Sequence, residues 1–91
     1  MSPGRPITDP ALKLFVRVRV RSLLEEAPSY DGWRVNHRQP HPGDYGTVVD
    51  ILTAPNLPDK YVVESCLADG SCLWIADFLG EEIEVDEAAK A

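Results

Sequence analysis

The chain has 91 residues, a net charge of −6 and an apolar fraction of 44%. That is one domain's worth of sequence, too apolar to stay disordered and too short for two cores. No apolar run approaches the roughly 20 residues a membrane-spanning helix needs. The opening "MSPGRPITDP" has no apolar stretch of the signal-peptide kind, so the expectation is a cytoplasmic protein without a membrane partner.

Residues 1–11 hold three prolines and a glycine with no periodicity, and are expected to form a flexible N-terminal arm. From Leu14 to Arg21 the pattern alternates. Leu14, Val16, Val18 and Val20 share one face, and Arg17, Arg19 and Arg21 the other, which predicts a strand. Residues 24–43 have no clean period. Pro28, Pro40 and Pro42 interrupt them and Asp31-Gly32 signals a turn, so they read as a long first loop packed by Tyr30 and Trp33. "GTVVDIL" is the second strand, with Thr47, Val49 and Ile51 on one face and Val48 and Asp50 on the other. The preceding "GDYG" reads as a corner. Gly43 and Gly46 let the chain turn into the sheet, and Asp44 can bond nearby backbone amides. A phosphate-cradling loop needs more glycine, a following helix and usually a lysine, none of which is present.

After a loop over 53–59, "KYVVESCL" is the third strand, with Tyr61, Val63 and Ser65 inward and Val62 and Glu64 outward. A tight turn at Ala68-Asp69-Gly70 leads to a fourth strand, "SCLWIADF", with Leu73 and Ile75 inward and Trp74 outward. Cys66 is expected to face Cys72 across a three-residue turn; a two-residue turn would instead set Leu67 opposite Cys72. "LGEE" reads as one short helical turn, and "EIEVDE" as a last strand with Ile83 and Val85 inward. The expectation is an all-β, small SH3-like barrel of about five strands over 12–87, with a frayed end at 88–91.

"GDYGTVVDIL", "KYVVE" and "DGSCLWIADFLGEEIE" resemble the short bacterial proteins grouped as domain of unknown function 4926, over residues 14–22 and 43–85. The resemblance implies the SH3-like, KOW-type barrel. It brings no chemistry with it.

His37 and His41 lie four apart, but the prolines between and after them forbid a helix, and a metal would need a third ligand such as Asp44. No serine or cysteine sits in a nucleophile elbow. No enzyme activity, metal or cofactor is therefore expected, and the cysteines are read as free thiols. Trp74 and Val62 on the outer face, with Trp33 in the long loop, are the candidate protein interface. The alternative is that the loop folds back over Trp74.

Charge supplies the last reading. Residues 1–43 carry seven basic and four acidic side chains (+3), and residues 44–91 two basic and eleven acidic (−9). Either the halves pair, or the basic half is a nucleic-acid patch. Pairing the inward residues of the first and last strands sets Arg17, Arg19 and Arg21 against Glu82, Glu84 and Asp86 as a ladder of opposite charges. The expected function is a non-enzymatic protein-binding module, of an accessory, regulatory or immunity type, with self-association as a further option. A nucleic-acid-binding KOW-like barrel ranks second. Third is an SH3-like subunit of a metalloenzyme, as in the nitrile hydratase β-chain.

Overall fold

The computed structural model describes residues 11–86. The arm expected up to Pro10 and the fraying expected at 88–91 lie outside them. Residue 11 was expected to belong to the arm, but Ala11 packs against the core and Leu12 is part of it.

Five strands form one antiparallel sheet: β1 (Arg17–Val20), β2 (Tyr45–Leu52), β3 (Lys60–Cys66), β4 (Cys72–Leu79) and β5 (Ile83–Val85). Their order across the sheet is β4-β3-β2-β1-β5, so the first four strands follow one another and β5 returns to lie beside β1. Two 3₁₀ turns punctuate the chain, Ala27–Tyr30 inside the long first connection and Gly80–Glu82 immediately before β5. Among the described residues no helix is long and apolar enough to cross a membrane.

The core is built by Val18 and Val20 of β1, Val48 of β2, Tyr61 and Val63 of β3, Trp74, Ala76 and Phe78 of β4, Ile83 and Val85 of β5, and Leu12 and Tyr30 from the connections. β1 is shorter than its pattern predicts. Phe15 adopts φ 69°, which ends the extended run, so Leu14 does not join the inward face of Val18 and Val20, and both Leu14 and Phe15 are exposed. In β2 the single period does not hold along the strand. Gly46 and Val48 point inward, then the register shifts between Val48 and Asp50 and leaves Val49 without a partner on β3. Beyond this β-bulge the alternation is shifted by one residue, so Ile51 faces the core opposite Tyr61. Gly46 is needed where it stands, because a Cβ there would meet Val63 Cγ1 at 2.6 Å and the Glu64 carbonyl at 2.8 Å.

The β3–β4 hairpin takes the three-residue form. Leu67 N–H donates to the Ser71 carbonyl at 2.8 Å, Cys66 lies opposite Cys72, and Gly70 takes φ 89°. The next pair is Ser65 with Trp74, so Leu73 is an extra residue. That single insertion reverses the predicted phase of β4. Trp74, expected outward, is fully buried with its ring edge-on to Phe78 at 5.7 Å between centroids. Val62 does lie on the outer face, opposite Asp50 and Asp77, but is only 2% exposed.

The charge ladder forms along the β1–β5 pairing, in which Val18 faces Val85 and Val20 faces Ile83. Arg17 reaches Asp86 at 3.1 Å, and Arg19 and Arg21 reach Glu84 at 3.6 and 3.7 Å. Glu82 is not part of it. It closes the 3₁₀ turn, whose tighter period turns its side chain inward, and it is fully buried. Each of the five ion pairs among the described residues joins residues 1–43 to residues 44–86, Arg38–Asp44 and Lys60–Glu25 being the other two. These arginines therefore have acidic neighbours and do not form an open basic row.

Candidate functional site

The long connection between β1 and β2 is held to the sheet at three places. At its start, Pro28 sits in the first turn of the 3₁₀ segment, where its missing N–H costs nothing, and the segment ends on buried Tyr30. The Tyr30 hydroxyl donates to Glu82 Oε2 at 2.5 Å and accepts the Glu25 N–H at 2.8 Å. Glu82 also accepts the N–H groups of Leu24 at 2.9 Å and Leu79 at 2.7 Å. Burial, and then the bond to Glu82, push the Tyr30 hydroxyl up to about 12.

In the middle, the loop runs along β4 on the side away from β3. Asn36 donates to the Tyr30 carbonyl and accepts the Ile75 N–H, both at 2.9 Å, while His37 N–H donates to the Leu73 carbonyl at 2.8 Å. These bonds occupy edge-strand groups that otherwise invite pairing with another chain.

At its end the loop closes on Asp44, the acid of the "GDYG" corner. Both Asp44 oxygens accept from Arg38, at 2.8 and 3.1 Å, and Oδ2 also accepts the His41 N–H at 2.9 Å and the Trp74 indole N–H at 3.0 Å. Gly43, at φ 97°, and Asp44 bond to the backbone of Val20. The corner is thus structural, as its composition implies. Burial works to raise the Asp44 carboxyl, but Arg38, the His41 amide and the Trp74 indole together hold it below the ordinary carboxylate value. A carboxyl lowered in the folded state stabilises above its ordinary pKa of ~3.9, and that contribution is lost as pH falls below it. Asp44→Asn should therefore be the less stable chain at neutral pH, with the gap to wild type narrowing at pH ~3. Urea melts at the two pH values check this, and an unchanged gap would show that the Asp44 charge contributes nothing.

Between these anchors the loop turns outward and presents Trp33 and Val35, each 47% exposed. Trp33 is exposed yet fixed, because its indole N–H donates to Asp77 Oδ1 at 2.8 Å. Asp77 is the cross-strand neighbour of Val62, so two of the three predicted interface residues reach the same outer face. The third, Trp74, is on the opposite side of the sheet and has no accessible surface. Beside Trp33, Arg34 adopts φ 57°, a left-handed conformation costly for a side-chain-bearing residue. A shallow open hollow of about 620 Å³ lies along the loop, lined by Ala27, Pro28, Asp31, Arg34, Asn36 and Gln39.

The other candidates do not converge on a reactive centre. His37 and His41 are exposed, and no group of three or more His, Cys, Asp or Glu among the described residues is placed to hold a metal ion. Cys66 and Cys72 are free thiols. Burial, then Glu64 and Cys66, push the Cys72 thiol up, the opposite of what a nucleophilic cysteine needs. Sequence reasoning placed Glu82 in the outer charge ladder and not at this buried cluster, and did not single out Asp77, Asn36 or Gln39. Only Asp44, next to two turn-forming glycines, carried a local signal.

No family model, curated protein or solved structure matches the chain.

Proposed function

We propose that the chain is a non-enzymatic protein-binding module, a small cytoplasmic accessory, regulatory or immunity-type protein that engages its partner through the 24–43 loop. The observation that carries this reading is Trp33, an indole about half exposed but held in one orientation by Asp77. A large aromatic already fixed before contact loses little conformational freedom on binding, which is why such residues dominate interface energetics. The strand order, the long first connection and the 3₁₀ turn before β5 agree with an SH3-like barrel, where the corresponding loop borders the ligand groove. The nucleic-acid alternative is weakened because Arg17, Arg19, Arg21 and Arg38 are engaged by carboxylates.

Trp33→Ala tests the reading. The side chain lies outside the core and makes one hydrogen bond, so stability should fall by no more than about 1 kcal/mol. Partner affinity should fall by about 2 kcal/mol or more, roughly thirtyfold. Tagged wild-type and Trp33→Ala chains are purified in parallel from the native cells, with their melting temperatures measured. One protein enriched by wild type and depleted by the variant supports the reading. The same proteins retained by both, or none by either, contradicts it.

A further inference from the structure

The β3–β4 hairpin sets two thiols side by side. Cys66 and Cys72 lie directly opposite each other on neighbouring antiparallel strands, and both are free. Leu67 N–H donates to the Ser71 carbonyl at 2.8 Å, so the next pair along the ladder, Cys66 with Cys72, exchanges no backbone hydrogen bonds. Facing residues of that kind have Cα atoms about 4.5 Å apart and side chains on one face of the sheet. That is the short end of the roughly 4.4–6.8 Å a disulfide spans. The turn holds the register. Gly70 N–H donates to the Leu67 carbonyl at 2.9 Å, and Asp69 Oδ1 accepts both the N–H and the hydroxyl of Ser71, at 2.9 and 2.6 Å. Burial first, then Glu64 and Cys66, push the Cys72 thiol up, so the two sulfurs are within electrostatic reach of each other.

We infer that Cys66 and Cys72 form a reversible thiol–disulfide site, closed by exchange with a small-molecule disulfide and reopened by the matching thiol. The site goes beyond the protein-binding reading and does not depend on it. Cys66 is exposed and Cys72 half-buried, so Cys66 attacks first. Its thiolate takes one sulfur of the small disulfide, forms a mixed disulfide and releases the first small thiol. Cys72 then loses its proton and attacks Cys66 Sγ, which forms the internal bond and releases the second. The two cysteines give up two electrons and two protons, and these leave with the two small thiols. The raised Cys72 thiol is a weak first attacker, but its own step is intramolecular, where position replaces activation. A bond at the short end of the allowed span, on an exposed hairpin, is strained and readily reduced, which makes the pair responsive instead of a fixed staple. Leu73, the extra residue after Cys72, carries the carbonyl that accepts the His37 N–H, so the cross-link closes beside one anchor of the 24–43 loop.

The test equilibrates the whole folded chain in mixtures of reduced and oxidised glutathione, stops exchange with acid and measures the intact mass. Wild type should lose the mass of two hydrogens without retaining glutathione, stay monomeric, and return fully to the dithiol as reduced glutathione is raised. Cys66→Ser and Cys72→Ser cannot close the bond, so each should carry one glutathione instead. Cys72→Ser, which keeps the exposed thiol, should acquire it about threefold faster or more. Thermal melts of the reduced and oxidised wild type should both be cooperative, as expected for a bond made within the native hairpin. The inference is overturned if wild type retains glutathione on both thiols, forms only disulfide-linked dimers, or remains a dithiol in oxidised glutathione alone. It is also overturned if the bond forms only in urea, or if excess reduced glutathione cannot open it, which would make it a permanent structural bridge. Faster uptake by Cys66→Ser would overturn Cys66 as the attacking thiol.

Discussion

Replacing Glu82 by glutamine should destabilise the protein by about 2–4 kcal/mol, a large part of the ~5–10 kcal/mol expected for a chain of this size. Glu82 is fully buried, and none of the five ion pairs among the described residues includes it. Its negative charge is met by donors alone. Oε1 accepts from Leu79 N, and Oε2 accepts from Leu24 N and the Tyr30 hydroxyl. An amide has one oxygen where the carboxylate has two. Whichever way it is turned, its NH2 meets a backbone N–H, so two donors face each other and a buried amide loses its acceptor. The three donors come from the start of the long connection, its 3₁₀ turn and the end of β4, so the damage reaches the base of the whole loop. Tyr30→Phe removes one donor and should cost less, about 1–3 kcal/mol. It should also change the alkaline limb. A tyrosine hydroxyl raised in the folded state contributes stability that is full below its ordinary pKa of ~10 and is lost as pH rises toward the folded value. Wild type should therefore lose stability between pH 10 and about 12, where Tyr30 titrates, and Tyr30→Phe should lose less. Chemical denaturation of the three chains at neutral pH and in that window measures both effects. A Glu82→Gln chain as stable as wild type would mean the carboxylate is not the hub of the loop base.

Trp74→Ala should be the most damaging single truncation, at about 3–5 kcal/mol, because it removes a fully buried side chain and leaves a cavity beside Phe78. It also withdraws the indole donor from Asp44, whose other donors hold the end of the same loop. Trp74→Phe keeps much of the volume and loses the donor, and should fall between alanine and wild type. Acrylamide quenching separates the two tryptophans before any melt is run. In a Trp33→Phe chain the remaining emission should be protected, and in a Trp74→Phe chain it should be readily quenched. Free quenching of Trp74 would return it to the surface and restore the wider interface expected from alternation alone.

The difference between that expectation and the fold is one residue. Period-two alternation and turn chemistry are local, so five strands, the Ala68-Asp69-Gly70 turn and the pairing of Cys66 with Cys72 were readable along the chain. The arginine ladder was readable too, because matching Val18 and Val20 to Val85 and Ile83 fixes where the charges fall. The bulge residues Val49 and Leu73 were not. An extra residue is selected by how the partner strand bends, and an odd insertion moves every later side chain to the other face. Glu82 was misplaced for a related reason. Its burial depends on Tyr30, 52 residues earlier, and a strand period extended back through "GEE" cannot show that the turn there is 3₁₀. The loop itself, the most informative part for function, has no period at all. Its course is set by scattered bonds from Asn36, His37, Arg38 and Trp33 to distant acceptors and donors.

The central claim is that the sheet presents this loop, with Trp33 foremost, to another protein. The most direct measurement is site-specific photo-crosslinking in the native cells, with benzoylphenylalanine in place of Trp33 in one chain and of Leu57 in another. Leu57 is 62% exposed in the β2–β3 loop, so it controls for accessibility. The account predicts one discrete adduct to a second protein from position 33 and none of that mass from position 57. The same adducts from both positions, or no adduct from position 33, would contradict it.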